Sequence, residues 1–192
     1  MLPALIALIY IIRYWNYPSA PLSDIISPIV TLVMAKTIFE STLTFPTSLL
    51  ILSLCIDSYA DYIMDSSNLR KPMIWFSSGH LFRQLIFVTV TWEISSMILY
   101  FFTLMAFMYM STERGEFMFF VSYVSILFMS FLQSSFDWGY ICFILSDLII
   151  AYDSFINNLH PRQFRVILVP VLYWTAEYIL TRSLLNLLDQ SS

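Results

Sequence analysis

Long apolar runs alternate with short polar segments along the whole chain. About 20 apolar residues cross the hydrocarbon core of a bilayer as a helix, and most of these runs approach that length. The pattern predicts about eight helical spans, with edges placed to within a few residues. They are residues 2–15, 24–40, 44–64, 72–90, 92–110, 117–134, 138–156 and 164–186. We therefore expect an all-α fold, a polytopic membrane helix bundle with about eight transmembrane helices.

The connecting segments carry the turn formers and charges of water-exposed loops, as in Ser66–Pro72, Ser111–Glu116 and Asn157–Arg162. None is long enough for a second domain, so residues 1–192 are predicted to form a single integral membrane domain. The first run also suits the core of a signal peptide, but no basic region precedes it. Arg13, Tyr14 and Trp15 follow it as interfacial anchors, which favours a retained helix.

Basic residues predict the orientation of the spans. With eight spans, both termini lie on one side of the membrane. The basic residues at the odd loops are Arg13, Arg70, Lys71, Arg114, Arg162 and Arg165. The even loops and the C-terminal end carry Lys36 and Arg182, while Arg83 falls inside a span. This bias places the odd loops in the cytosol and both termini outside or in the lumen.

Composition supports the membrane class, since 59% of the residues are hydrophobic and 11% are charged. The net charge of −4 and the scattered basic residues exclude nucleic acid as a partner. A three-histidine zinc site is excluded because the chain has only His80 and His160. No Gly-x-Ser-x-Gly nucleophile motif and no phosphate-cradling loop occur. We expect neither a metal nor another cofactor.

Ionisable residues inside the spans are the first candidates for function. Asp147 lies in an apolar stretch with nothing basic, and such carboxylates normally face a bundle interior or a water-filled pocket. Ser53, Asp57 and Asp61 recur at every fourth residue and share one face of a helix. Under the predicted orientation, Asp61, His80 and Asp147 fall in the cytosolic half of the bilayer.

Plainer interpretations of these residues remain open. Asp61 is close enough to the predicted membrane surface to be solvated, and Asp57 and His80 suit simple hydrogen bonding inside a bundle. Glu177, in the middle of the last span, suits pairing with a basic side chain such as Arg83 or Arg182.

Several segments resemble the YhhN-like lysoplasmalogenase family of eight-span membrane proteins. Tyr140–Ala151 is similar to its "G-A-(hydrophobic)-L-F-x-x-S-D", and Leu172–Leu180 to its "Y-Y-x-A-Q-x-L-I". Ala60–Met64 resembles "G-D-x-L-L-M", Gly79–Phe82 resembles "G-H-L", and Ser27–Thr31 stands in the place of "K-P-L-T". Each motif is short, and it is their order and spacing over roughly residues 25–185 that carry the resemblance.

The chain departs from the family pattern at Ser27, Ala60 and Glu177, where the family has lysine, glycine and glutamine. The first aspartate has two candidates, because the segment that ends at Asp57 fits the family's "S-L-L-G-D" about as well. Spacing from Pro28 and His80 favours Asp61.

The resemblance implies hydrolysis of the vinyl ether bond of a lysoplasmalogen, a lysophospholipid substrate taken from the lipid bilayer, in the endoplasmic reticulum or another internal membrane. The products are a fatty aldehyde and a glycerophospho-base. Such a reaction needs an acid, a base and one water, roles that two carboxylates in unequal environments supply. We expect Asp147 to be the acid, Asp61 (or Asp57) the ionised carboxylate, and His80 a residue that orients either.

Substrate binding is predicted for the basic residues at the cytosolic ends of the spans and for the last acidic residue within a span. They are Arg70, Lys71, Arg162, Arg165 and Glu177. Arginine and lysine suit a phosphate head group, but the same basic residues suit a purely topological role equally well.

Two other classes of function compete with the enzyme. Asp57, Asp61, Asp147 and Glu177 also suit a cation or proton path in a small transporter or channel. Against this, the two halves show no obvious repeat and no glycine-interrupted helix pair. The third class is an inactive relative that only binds lipid or a partner.

Overall fold

The computed structural model describes residues 23–40, 43–63, 70–112, 115–135, 137–155 and 162–191. These residues form helices joined by turns, with no strand among them. The described helices, numbered here in chain order, are α1 (Ser23–Phe39), α2 (Phe45–Tyr62), α3 (Arg70–Thr91), α4 (Ile94–Thr112), α5 (Glu116–Gln133), α6 (Trp138–Phe155) and α7 (Arg162–Ser191). The predicted span at 2–15 lies outside the described residues.

Each of the other seven predicted spans coincides with one helix, which confirms the all-α prediction. The largest boundary difference is at the end of the chain, where α7 continues to Ser191 although the apolar run ends near 186. A helix continues for as long as its backbone hydrogen bonds can be made and no helix breaker intervenes. Apolar composition alone therefore underestimates its length.

Among the described helices, only α4 is both long and apolar enough to cross a membrane by length and composition. Shorter apolar stretches occupy 28–39, 118–133 and 138–150. The other described helices do not reach the length or the mean hydropathy that such a span needs, and several of them carry polar residues that are buried in the bundle. The number of eight spans stays a prediction.

Short connections place consecutive helices antiparallel. Thr44 caps α2, where its hydroxyl accepts from the Thr47 amide and the Thr47 hydroxyl accepts from the Thr44 amide. The α3–α4 turn is Trp92 and Glu93, with Trp92 at a φ of 52°. We call the bundle end at this turn the Trp92 end, and the opposite one, where α2 ends and α3 begins, the Asp61 end.

Helix α3 lies at the centre of the bundle, because it contacts α2, α4, α5 and α7. The core around it is built from large apolar side chains, among them Leu50, Leu54, Ile86, Ile126, Leu127 and Phe143. The outward faces are also apolar, as at Phe101 and Met105 of α4 and Phe128 of α5, each at least half exposed. So much exposed apolar surface is typical of a protein surrounded by lipid or by other protein.

Candidate active site

Three ionisable side chains from three helices meet in the centre of the bundle. The Arg83 guanidinium of α3 donates through Nη2 to Asp57 Oδ2 of α2 and to Glu177 Oε2 of α7, the latter at 2.7 Å. All three side chains are fully buried. We call Asp57, Arg83 and Glu177 the carboxylate–arginine trio. Because one nitrogen serves both acids, their carboxyl groups are immediate neighbours.

Charge counting shows what the trio can do. With every group ionised, two carboxylates and one guanidinium leave one negative charge without a partner. A buried charge without compensation is costly, and the trio becomes neutral when it holds one proton. The arrangement is therefore suited to storing one proton between two carboxyl groups.

Gly79 allows α2 to approach α3 at this point. A Cβ atom at Gly79 would overlap Asp57 Oδ1 and lie 2.9 Å from Asp57 Cγ, closer than side chains tolerate. Ser58, the next residue of α2, donates to the Pro28 carbonyl oxygen at 2.9 Å and so fixes α1 against α2. Asp57 can therefore occupy this position only because residue 79 is a glycine and has no side chain.

His80 lies one turn before Arg83 and is fully buried. Its ring packs against Phe143, with centroids 5.0 Å apart, and against Tyr140 at 5.7 Å. Neither ring nitrogen has a hydrogen-bond partner within the described part of the chain. A buried imidazole with two unpaired nitrogens beside the trio is a candidate for contact with a bound molecule.

Asp147 forms a second acidic centre between α5 and α6. The Tyr123 hydroxyl donates to its Oδ2 at 2.8 Å, and the Ser146 hydroxyl to its Oδ1 at 3.3 Å. Asp147 is half-buried and makes no ion pair within the described residues. Tyr123 is also within electrostatic range of Asp57 and Arg83 of the trio.

The remaining predicted site residues lie away from the trio. Asp61 is half-buried one turn beyond Asp57, within electrostatic range of Asp57 and Tyr173. Arg70, at the Asp61 end, has its guanidinium carbon 4.6 Å from the centroid of the Phe119 ring, and Lys71 beside it is exposed.

Arg162 and Arg165 belong to the first turns of α7, but their side chains lie outside what the structure describes. The structure therefore joins Asp57 and Glu177 through Arg83, places His80 beside them and holds Asp147 at a separate centre.

Sequence reasoning did not recognise Arg83 as the centre of the site. It considered Arg83 only as one of two possible partners for Glu177. One signal was available: Arg83 is a basic residue inside a predicted span, one turn from His80. The other predicted spans contain acidic residues that need a basic partner. A charge in a bundle interior is expected to find its counter-charge there.

Comparison with known proteins places these residues in a family. The sequence profile of the YhhN family matches residues 22–184, a range that contains the trio, His80 and Asp147. No curated protein matches the chain, and no solved structure does. The profile covers well over half of the chain, in agreement with the resemblance of the individual motifs. The protein is therefore a member of the YhhN family.

Proposed function

We propose that the protein is a multi-pass membrane hydrolase of the lysoplasmalogenase type. It cleaves the vinyl ether bond of a choline or ethanolamine lysoplasmalogen to give a fatty aldehyde and the glycerophospho-base. Family membership supports this proposal, and the observation that carries it is the buried trio, in which two carboxyl groups share one guanidinium and have room for one proton. No metal and no other cofactor takes part in the proposed reaction.

The chemistry of a vinyl ether matches such a proton store. A proton adds to the outer alkene carbon and leaves an oxocarbenium ion at the carbon bonded to oxygen. Water adds to that carbon and gives up a proton, which forms a hemiacetal. The hemiacetal loses the glycerol oxygen as an alcohol and becomes the aldehyde. One water is consumed, and the proton that was given is returned, so a single acid can serve as acid and then as base.

We assign this acid–base role to Asp57 and Glu177. Arg83 compensates their negative charge. After the proton leaves, the trio carries one negative charge, which stabilises the oxocarbenium ion and then accepts the proton of water. Asp147, to which the Tyr123 hydroxyl donates, is assigned a supporting role as the carboxyl group that steadies the cation. These roles differ from the expected ones, in which Asp147 was the acid and Asp61, or alternatively Asp57, the ionised partner.

The aromatic residues beside the trio suit a reaction that forms a cation. Phe143 packs against Tyr173, with centroids 5.3 Å apart, and lies 5.8 Å from the Arg83 guanidinium carbon. Aromatic faces attract cations and exclude bulk water from the reacting bond. In this proposal His80 orients the substrate through one of its ring nitrogens.

The head group is assigned to the Asp61 end. Arg70 and Lys71 begin α3 there, and Arg162 and Arg165 begin α7, so four basic residues suit one phosphate. Asp57 lies five residues before the end of α2, roughly 8 Å along the helix axis. The vinyl ether of a lysoplasmalogen is a few bonds from its phosphate, so a head group at this end brings the bond toward Asp57.

Aldehyde release from the purified protein in detergent tests the proposal. Asp57→Asn, Glu177→Gln and Asp147→Asn should each lower kcat by about a hundredfold or more, the usual scale of acid–base catalysis. Asp61→Asn should lower it by less than about tenfold, since Asp61 lies outside the trio. Glu40→Gln is the matched control, because Glu40 is an exposed acid that pairs with Lys36 on the surface of α1.

A lysophospholipid with a saturated ether in place of the vinyl ether completes the design. It should compete with substrate but release no aldehyde, because it has no alkene carbon to protonate. A folded wild-type protein that releases no aldehyde contradicts the proposal. Flux that depends on an ion gradient would then identify a transporter, and lipid binding without either activity would identify an inactive relative.

A further inference from the structure

A second set of polar side chains, most of them buried, extends from Gln84 toward the Trp92 end. Gln84 follows Arg83 in α3, and its Nε2 donates to Ser130 Oγ of α5 at 2.5 Å. Gln133 Nε2 donates to the carbonyl oxygens of Gln84, at 3.2 Å, and of Ser96 in α4, at 3.4 Å. The Thr91 hydroxyl is 3.4 Å from Ser96 Oγ. We call Gln84, Ser130, Gln133, Ser96 and Thr91 the polar column.

The polar column reaches the surface of the bundle. Thr91 is the last residue of α3, Ser96 is the third of α4, and Gln133 is the last of α5. The adjoining turns expose Glu93 and Ser135. The column therefore runs from two exposed turns at the Trp92 end to the residue next to Arg83, through a region that apolar residues would otherwise fill.

Buried polar atoms without protein partners follow the same line. Gln133 Oε1, Gln84 Oε1 and Arg83 Nε and Nη1 have no hydrogen-bond partner among the described residues, while the Tyr140 hydroxyl interacts with Ser130 of the column and lies within electrostatic range of Arg83. Gln84, Tyr140 and Arg83 are at most 1% exposed, and Gln133 is 8% exposed. Buried polar groups of native proteins are almost always paired, and ordered water supplies the missing partner where two to four polar groups converge. A row of water molecules needs hydrogen-bond acceptors and donors along its length. The glutamine Oε1 atoms supply acceptors, and the Arg83 Nε and Nη1 atoms supply donors at the inner end.

We propose that the polar column is a hydrated path that brings water from the Trp92 end to the carboxylate–arginine trio. Its purpose rests on the proposed function, in which one water is consumed in each cleavage. In the proposed function the head group and glycerol of the lipid substrate occupy the Asp61 end, where they would obstruct access of water to the trio. The two reactants then reach the trio from opposite ends of the bundle.

Silver ion, a small aqueous cation that binds thiols, tests hydration directly. The background is the Cys55→Ala/Cys142→Ala variant in liposomes, because both native cysteines are free. Ser130→Cys places a thiol in the middle of the column, and Ser96→Cys places one near its outer end. Silver-capped thiols escape N-ethylmaleimide after denaturation, and intact mass reports the capped fraction.

Two control variants calibrate the capping rate. Ser95→Cys lies on the exposed first turn of α4 and should be capped fastest. Phe128→Cys lies two residues from Ser130 on the outward face of α5, where the side chain is 50% exposed to the surroundings of the bundle, and a lipid-facing thiol should be capped slowest. Neither of these two thiols belongs to the polar column.

Capping of Ser130→Cys within about tenfold of the Ser95→Cys rate supports the hydrated path. A Ser130→Cys rate equal to that of Phe128→Cys overturns it, and so does capping that stops at Ser96→Cys. The readout does not require activity. If wild type releases no aldehyde but Ser130→Cys is capped, the path stands and the proposed reaction fails; if aldehyde is released and Ser130→Cys is protected, hydrolysis stands and the path fails.

Discussion

Helices α3 and α4 are neighbours of similar length, yet they place polar and apolar residues oppositely. α4 turns a broad apolar face outward, with Ile98, Phe101 and Met105 each at least half exposed. α3 carries His80, Arg83 and Gln84, all fully buried. By length and hydropathy α4 is able to cross a membrane, whereas α3 does not meet the same criterion. The comparison teaches that apolar composition reports the outer surface of such a bundle, whereas the candidate chemistry lies on the helix that fails this criterion.

The largest expected effect is at Arg83 of α3. Arg83→Met leaves the carboxyl groups of Asp57 and Glu177 buried without their counter-charge, so we expect a loss of about 3–5 kcal/mol in unfolding free energy and no activity. Thermal unfolding in detergent measures the loss. The triple variant Arg83→Met/Asp57→Asn/Glu177→Gln removes all three charges and should recover most of the stability and none of the activity. A single variant as stable as wild type would show that the trio has no structural role.

Gly79→Ala comes next, because a methyl group there collides with the Asp57 carboxyl group and separates α2 from α3. Overpacking of this kind costs roughly 1–3 kcal/mol, and displacement of Asp57 should also lower aldehyde release. Ser78→Ala is the control, since the Ser78 hydroxyl donates to a carbonyl oxygen of its own helix, that of Ile74. Equal melting temperatures for the two variants would contradict the close contact.

A smaller effect is expected at the second acidic centre. Tyr123→Phe removes the hydroxyl that donates to Asp147, and a hydrogen bond to a charged group is worth about 1.5–3 kcal/mol, or roughly tenfold to a hundredfold in kcat. KM should change little. Ser122→Ala on the same helix is the control, because the Ser122 hydroxyl donates to the Met118 carbonyl oxygen of its own helix. An unchanged kcat in Tyr123→Phe would remove Asp147 from the mechanism.

The smallest effect is expected on the outward face of α4. Met105→Leu keeps the volume and the apolar character of a side chain that is 55% exposed, so stability should change by less than about 0.5 kcal/mol and activity should not change. The same thermal and aldehyde measurements apply. A loss comparable to that of Gly79→Ala would mean that this face packs against protein and would break the contrast between α3 and α4.

The sequence predicted the helices well because each depends on local composition, on the capping residues and on the short polar turns. Between Asp57 and Asp61 it favoured Asp61 on spacing alone, because both occupy the same face of α2 and nothing local shows what α3 presents to each of them. That choice depends on Gly79 and Arg83, which come from a different helix.

Partners that are distant in sequence were equally hard to assign. Arg83 and Glu177 are 94 residues apart, and local pattern favoured neither Arg83 nor Arg182 as the partner of Glu177. Tyr123 was not recognised as the donor to Asp147, since a tyrosine in an apolar span carries no distinguishing periodicity. The sequence therefore identified the candidate acidic residues, but only the folded structure showed which side chains lie next to them.

The single nitrogen that joins Asp57 to Glu177 has an evolutionary consequence. A lineage that loses one of the two acids gains little by retaining the other, because what remains is a plain ion pair with no place for the extra proton. Changes at these positions on α2, α3 and α7 should therefore be inherited together, and catalytic defects of the single and double variants should be strongly epistatic rather than additive.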